Sequence, residues 1–508
     1  MELYILLICI SIFWFFFFNQ LLRRSSSKKL PPGPAGVPLI GSLHRLGPRP
    51  NQSLADLSKI YGPIMTLKLG SVTTIVASSA DAAKAILKTH DHSFSGRPVP
   101  ASIATQPNPD ATIAWVAADN SWRSRRRICA TQMFSAQKLD QLQHLRQRKA
   151  QELVSHIKRH AVSAAPVDIG GAAFATTLNL ISNTIFSIDM VDQDFDSAKE
   201  FKDLVWTIME NAGKPNFSDY FPVLRRLDLQ GLKRRIRPAY RRLHEIFDEV
   251  IEKRLRDRGS DLVNDRKGDF LDALLDQCEE DGSDFNPITI KPVILDLFIA
   301  ASDTSAITTE WAMAELLRKP DILERARNEI IGTIGADHQM QESDMDRLPY
   351  LQAVVKETMR LHPAAPLLLP HKARKDVELQ GFIVPKNTQV LVNVWAIGRD
   401  PKYWEDPSSF LPERFLNSSL DYKGRDFEYI PFGAGRRMCP GMPLAIRVIH
   451  LMLASILQSF NWKLPPGTTP EKMDMEEQFG FTLRKAIPLL AIPVIETKLL
   501  KVLEEDQE

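Results

Sequence analysis

The sequence predicts a mostly α-helical α+β fold, one large mixed domain behind an apolar N-terminal segment. Three observations carry this. Short strand-like runs come early, at 64–69 and 74–76, and strand patterns return near 382–394. Between them, from about 120 to 360, the pattern is helical and poor in proline. From about residue 37 to 497 there is no second linker, repeat or low-complexity run, so strands, helices and late strands belong to one body.

The chain has 508 residues, 44% of them hydrophobic, enough for a large core. Lys+Arg 64 against Asp+Glu 62 leaves a net charge of +2, which argues against a dedicated nucleic-acid binder. Cys9, Cys129, Cys278 and Cys439 are far apart and form no CxxC, which excludes zinc ribbons and thioredoxin-type redox pairs and argues against a disulfide framework.

Residues 3–18 carry no charge and the apolar run reaches Leu22; Arg23, Arg24, Lys28 and Lys29 follow. About 20 helical residues at ~1.5 Å each span a ~30 Å hydrocarbon core. Residues 1–22 are therefore expected to be a transmembrane anchor in the lipid bilayer, with everything after it cytosolic by the positive-inside rule. Residues 23–38, basic and then proline-rich through Pro31, Pro32 and Pro34, read as a stiff linker. A domain over 39–497 and a polar tail over 498–508 complete the expected organisation.

The longest helical pattern runs from about 292 to 317 and is apolar nearly all round in its first half, as a buried central helix would be. Ala300, Ala301, Ser302, Asp303 and Thr304 interrupt it. Small residues let something large approach the backbone, and Thr304 can turn its hydroxyl to the Ala300 carbonyl. Tight helix packing or a helix cap would explain the same residues. Near the C-terminus, Phe432 to Gly441 precedes a helical pattern at 443–460. Its GxG lacks the third glycine of a dinucleotide loop, with Met438 in that place. Cys439 just before a helix start suits a metal thiolate, since backbone N–H groups favour negative charge there. A lone cysteine is also commonly a buried hydrophobe.

Phe432, Gly435, Arg437, Cys439 and Gly441 together match FxxGxRxCxG, and this stretch resembles the haem-binding signature of the cytochrome P-450 superfamily. Four further motifs stand in the family's order. They are Trp122-x-x-x-Arg126, Ala300 to Ser305, Glu357-Thr358-Met359-Arg360 and Pro412-Glu413-Arg414-Phe415. Stretches around Phe94 to Arg97, Pro215 to Pro222 and Cys439 to Ala445 are similar to the plant microsomal group that contains geraniol 8-hydroxylase and related terpenoid and alkaloid oxidases.

The resemblance implies the P-450 fold, with the long central helix over a haem b whose iron takes the Cys439 thiolate. It implies Trp122, Arg126, His371 and Arg437 as propionate contacts, Phe432, Gly435 and Gly441 as packing around the haem, and Thr304 with Asp303 as the proton-delivery pair. It further implies Glu357, Arg360 and Arg414 as a buried structural triad. Two departures stand out: Ala301 where the family usually has Gly, and His371 where it often has Arg. The substrate pocket is expected from segments 101–116, 297–304, 364–369 and 479–482, with Ile113, Phe298, Ala300, Ala301, Leu367 and Phe481 against an apolar small molecule. The implied activity is monooxygenation with O2 and NADPH-derived electrons from a separate NADPH-cytochrome P-450 reductase at the endoplasmic reticulum membrane. Arg123, Arg125, Arg126 and Arg127 could meet that donor or form a solvated face. A haem-thiolate isomerase or dehydratase, or a haem sensor, are the competing classes; an intact Asp303–Thr304 pair disfavours both.

Overall fold

The computed structural model describes residues 30–192, 198–259 and 266–495. The expected anchor at 1–22, the basic half of the linker and the tail at 498–508 lie outside the described residues. From Pro31 the proline-rich segment lies along the first strand: Thr66 donates its N–H to Pro32 O (2.8 Å) and its hydroxyl to Pro31 O (2.8 Å).

The early strands are β1 (Ile64–Leu69) and β2 (Val72–Ala77), an antiparallel pair turned at Gly70-Ser71. β3 (His371–Lys372) and β4 (Gln389–Val392) join them in one sheet of order β1-β2-β4-β3. β2 and β4 run parallel, Thr74 opposite Gln389 and Ala77 opposite Val392, so the first and last thirds of the chain are tied together. A late hairpin, β5 (Glu477–Phe479) and β6 (Leu483–Lys485), projects Gly480, Phe481 and Thr482 from its tip.

The helices that position the site are, in chain order, α1 (Asn120–Gln132), α2 (Ile169–Phe186), α3 (Ala198–Gly213), α4 (Leu232–Gly259), α5 (Pro287–Arg318), α6 (Pro349–Leu361) and α7 (Met442–Ser459). α5 is the central helix, and it begins five residues before the expected Pro292. The Asn286 side chain accepts from Ile288 and Thr289, Thr289 reciprocates, and Pro287 takes the first helical position, where no N–H is needed. Pro292 sits inside the helix instead of starting it.

α2 lies along α5, and α6 and α7 pack on its later half. α2 is buried on every face, including Thr176, Thr177 and Asn179, because it is enclosed by α5, α3 and the helix Gln143–Val162. Among the described residues one helix, α7, is long and apolar enough to cross a membrane, and most of it is buried in this core.

Candidate active site

The segment from Phe432 to Gly441 folds back on itself. Cys439 donates its N–H to Phe432 O (3.0 Å) around a short 3-10 turn, Gly435–Arg437. Gly435 has φ +67°, and a Cβ there would fall 1.9 Å from the Leu87 carbonyl oxygen, so only glycine fits. Gly441 is different: a Cβ would make ordinary contacts, 3.7 Å from Phe134 and 3.9 Å from Cys439 Sγ. Its place beside the sulfur, not backbone strain, is its structural feature.

Cys439 lies at the mouth of α7 and is exposed in a cavity of about 320 Å³ that it helps to line. Burial pushes its thiol up; N–H bonds from Gly441 and Met442 and the Arg126 charge pull the other way. A metal cation on the sulfur would add the charge that this opposition lacks.

Basic groups converge on the same cavity. Arg437 donates to Ser95 O (2.8 Å) and Val116 O (2.5 Å), and Arg126 to Met438 O (2.5 Å). Arg97 donates to Leu369 O (2.5 Å) and Pro370 O (2.8 Å), yet its Nε is buried without a partner among the described residues. Burial and the neighbouring Arg437 hold Arg97 well below its usual range; burial, with Arg126 adding to it, brings Arg437 down to about 10. So many buried cations with backbone carbonyls as partners fit an anionic ligand, and the two carboxylates of a haem meet that need.

Trp122 and His371 face this cluster in ways their expected roles did not include. The Trp122 N–H is spent on Ile113 O (3.1 Å), and its ring underlies Arg437 at 4.5 Å, so it is a platform for a guanidinium, not a free donor. His371 is buried, and burial, with Arg97 beside it, holds it well below the ordinary histidine range. Its Nδ1 lies 2.8 Å from Phe94 O and must carry the single proton of the neutral ring. In that neutral form Nε2 is an acceptor, so a direct hydrogen bond to a carboxylate would require the ring to be protonated. Arg97, which the sequence marked only as part of the stretch Phe94 to Arg97 and without a role, offers a buried guanidinium to the same cavity.

On the opposite wall, α5 presents Ala300, Ala301 and Thr304 to the cavity. Thr304 donates to Ala300 O (2.9 Å). Asp303 points away, accepting from the Thr482 hydroxyl (2.7 Å), and burial raises its carboxyl against the pull of that bond, Arg484 and Lys202. Thr177 on α2 donates to Ser302 O (2.7 Å) beside the small-residue stretch.

The expected pocket residues divide. Ile113, Ala300, Ala301 and Phe481 line the cavity. Phe298 does not: it is fully buried, with its ring 5.0 Å from Phe247 and 6.1 Å from Phe201. Two residues along a helix is a turn of about 200°, which carries Phe298 away from the face of Ala300. Leu367 also lies elsewhere, lining an adjoining outer cavity of about 490 Å³ and packing with Met65, Leu67 and Leu391. Leu368, at φ +50°, turns the chain so that Leu368 and Leu369 face the inner cavity.

Behind the cysteine loop, Glu357 and Arg360 form two 2.7 Å bonds with both side chains fully buried. Arg414 donates to Glu357 Oε1 (3.2 Å), as does the Leu411 N–H (2.8 Å). Arg360 also reaches Gly398 O, Pro407 O and Ser409 O. With every polar atom of the pair engaged, desolvation is offset; removing one partner would cost about 3–5 kcal/mol. The basic run splits: Arg125 is buried against Asp110 O and Arg126 turns inward, leaving Arg123 and Arg127 exposed.

Residues 31–489 match the Cytochrome P450 family. Geraniol 8-hydroxylase of Catharanthus roseus is 50% identical over 465 residues, 92% of this chain and 94% of that one. The geraniol 8-hydroxylase of Swertia mussotii is 49% identical over 91% of this chain and 93% of its own. A 7-ethoxycoumarin O-deethylase of Helianthus tuberosus is 47% identical over 92% and 94%. A family match that starts at the proline segment laid on β1 and runs past the hairpin carrying Phe481 and Thr482 covers every wall of the cavity around Cys439, and the chain belongs to the cytochrome P450 family of monooxygenases.

Proposed function

We propose that this protein hydroxylates an apolar small molecule, a terpenoid or an alkaloid of plant specialised metabolism, using O2 and electrons from NADPH. The observation that carries the reading is the placement of the Cys439 thiol at one wall of a mainly apolar cavity whose other wall is Ala300, Ala301 and Thr304. Cys439 would ligate the iron of haem b, with Arg97, Arg126 and Arg437 at its acid groups and Trp122 beneath the guanidinium. When bound, the haem supplies dioxygen reduction and C–H oxygenation, with thiolate donation favouring O–O cleavage.

The protein's own groups manage protons and orientation. The Thr304 hydroxyl donates to Ala300 O, which leaves its lone pairs to accept a proton donor from the cavity. Asp303, bonded to the Thr482 hydroxyl and acted on by the charges of Arg484 and Lys202, would relay protons toward the cavity. Apolar walls exclude bulk water and hold the substrate chiefly by shape, at about 25 cal/mol per Å² buried.

Electrons come, in this reading, from a separate NADPH-cytochrome P-450 reductase. Arg123 and Arg127, exposed on the helix that contacts the cysteine loop through Arg126, suit an acidic donor. The anchor at 1–22 would hold the protein in the endoplasmic reticulum membrane with the domain over 39–497 in the cytosol. An exposed apolar face supports this: Leu39, Ile40, Val223 and Leu227 are exposed, and Gly70 N to Ile40 O and Ser71 N to Tyr220 O bring their segments together.

The test is co-expression with a plant reductase and screening of monoterpenols, diterpenes and alkaloids by product mass. A product heavier by one oxygen atom, dependent on both NADPH and O2, is expected. A product of unchanged mass, or one formed without O2, would replace oxygenation with isomerisation or dehydration.

A further inference from the structure

The inner cavity has one carboxylate in its wall, Asp296. It stands on α5 at the spacing 296, 300, 304, so it shares a face with Ala300 and Thr304. Its Oδ2 accepts two hydrogen bonds, from the N–H of Ile113 (2.7 Å) and of Ala114 (2.9 Å). Its Oδ1 has no hydrogen-bond partner among the described residues, and no cation acts on the carboxyl. Burial pushes the group up to about 6, opposed only by the two amides, so its charge is incompletely compensated by the protein.

Such a group is costly in an apolar wall unless something completes it. Holding the 113–114 loop requires a single acceptor atom, and an asparagine would do that as well. The second oxygen is an acceptor that the protein's own contacts leave unused. The cations lining the cavity are engaged elsewhere: Arg437 and Arg126 at the carbonyls beside the cysteine loop, Arg97 at Leu369 and Pro370.

We propose that Asp296 is the polar anchor of the substrate cavity, accepting a hydrogen bond through Oδ1 from a hydroxyl or ammonium group at one end of an otherwise apolar substrate. The inference rests on the functional reading above and narrows its substrate class to molecules with a hydrogen-bond donor at one end. Eight residues of helix separate Asp296 from Thr304, about 12 Å at ~1.5 Å each. The anchor thus holds the donor end away from Thr304 and turns the opposite, apolar end of the molecule toward it.

The experiment is optical titration of the haem-loaded full chain with geraniol, geranylamine and geranyl methyl ether, for the native protein, Asp296→Asn and Asp296→Ala. Asn keeps an acceptor for the Ile113 and Ala114 amides and exchanges the free oxygen for a donor. Expected is a loss of about tenfold or more in affinity for the alcohol and the amine in Asp296→Asn, with the ether unchanged, as fits one lost charge-assisted hydrogen bond. A larger loss for the amine than for the alcohol identifies the group as a counter-ion; equal losses identify it as an acceptor of neutral donors. Equal weakening of alcohol and ether, or no weakening of either in Asp296→Asn and Asp296→Ala, overturns the anchor and leaves the apolar-substrate reading standing. Failure of all three compounds to perturb the native haem spectrum overturns acyclic monoterpenoids as ligands and the anchor with them, and leaves the oxygenation reading to the product screen.

Discussion

The Thr482 hydroxyl donates to Asp303 Oδ2 across 2.7 Å, and it is Thr482, not Asp303, that faces the cavity. The acid of the proposed proton-delivery pair is therefore held to the hairpin tip between β5 and β6. Removing the hydroxyl leaves the buried carboxyl with one fewer hydrogen bond and pushes its pKa further up. Thr482→Val is expected to keep its haem and its ferrous carbon-monoxide spectrum but to lose several-fold in product formed per NADPH, with peroxide released. Thr482→Ser should restore coupling. Native coupling in Thr482→Val would make the contact merely structural.

The two motif glycines should behave differently. Gly435→Ala places a methyl 1.9 Å from Leu87 O at φ +67°, so the turn must move. Gly441→Ala meets nothing closer than 3.7 Å. Folded yield and melting temperature are expected to fall sharply for Gly435→Ala and little for Gly441→Ala. Equal losses would place both glycines under the same backbone demand and contradict this geometry.

Much of the site was legible because its signals are local. The run from Phe432 to Gly441, the i,i+3 pair Glu357 and Arg360 and the small residues of α5 each declare themselves within ten positions. What was not legible is long-range. Arg97 meets Leu369 and Pro370 from 272 and 273 residues away, and Thr482 meets Asp303 from 179. Arg97 and Thr482 each lie in a stretch the resemblance had singled out, but no local pattern marks the partners they reach. Phe298 is a different case: the resemblance brought it in with the segment 297–304, and helical angle decides which side chains of that segment face the cavity. α5 begins five residues before the apolar pattern at about 292, where Asn286 caps it and Pro287 takes the first turn.

The cation cluster yields a test by haem content. Arg97 carries the unpaired buried Nε, while His371 as a neutral ring has no second N–H to offer. Arg97→Gln should purify with a clearly lower haem-to-protein ratio than the native chain. His371→Gln should retain haem within about twofold. A reversed order would assign the anionic ligand to His371.

Acid should weaken the fold through histidines that must stay neutral. His450 is buried in α7 with Nδ1 2.7 Å from Ile446 O; burial, with Lys356 adding to it, brings it down to about 4. The unfolded chain takes up this proton near pH 6.5, the folded one only near 4. More protons are then bound unfolded than folded between those values, so the contribution is intact above 6.5 and is lost as pH falls toward 4. The loss from this one group approaches about 3 kcal/mol. In urea unfolding at several pH values, His450→Gln should lose less stability than the native chain between pH 6.5 and 4. Parallel curves would remove His450 as a source.

Phe481 stands between the inner and the outer cavity and lines both. Its ring lies 5.0 Å from that of Trp115, tilted at 52°, and its N–H is fixed to Met209 O (3.0 Å). The hairpin tip cannot simply slide to adapt, because Gly213 on α3 passes so close that a Cβ there would fall 2.3 Å from the Gly480 carbonyl carbon and Phe481 N. With the backbone held, the size of the side chain sets how far the two spaces communicate. Phe481→Leu gives up an aromatic contact of about 0.5–1.5 kcal/mol and part of the partition while leaving Cys439 and the cation cluster alone. Expected are unchanged haem content, weaker preference for small substrates over larger ones, and a shift in which carbon is oxidised. Unaltered product ratios with several substrates of different length would return Phe481 to the core and leave the partition to Trp115 and its neighbours.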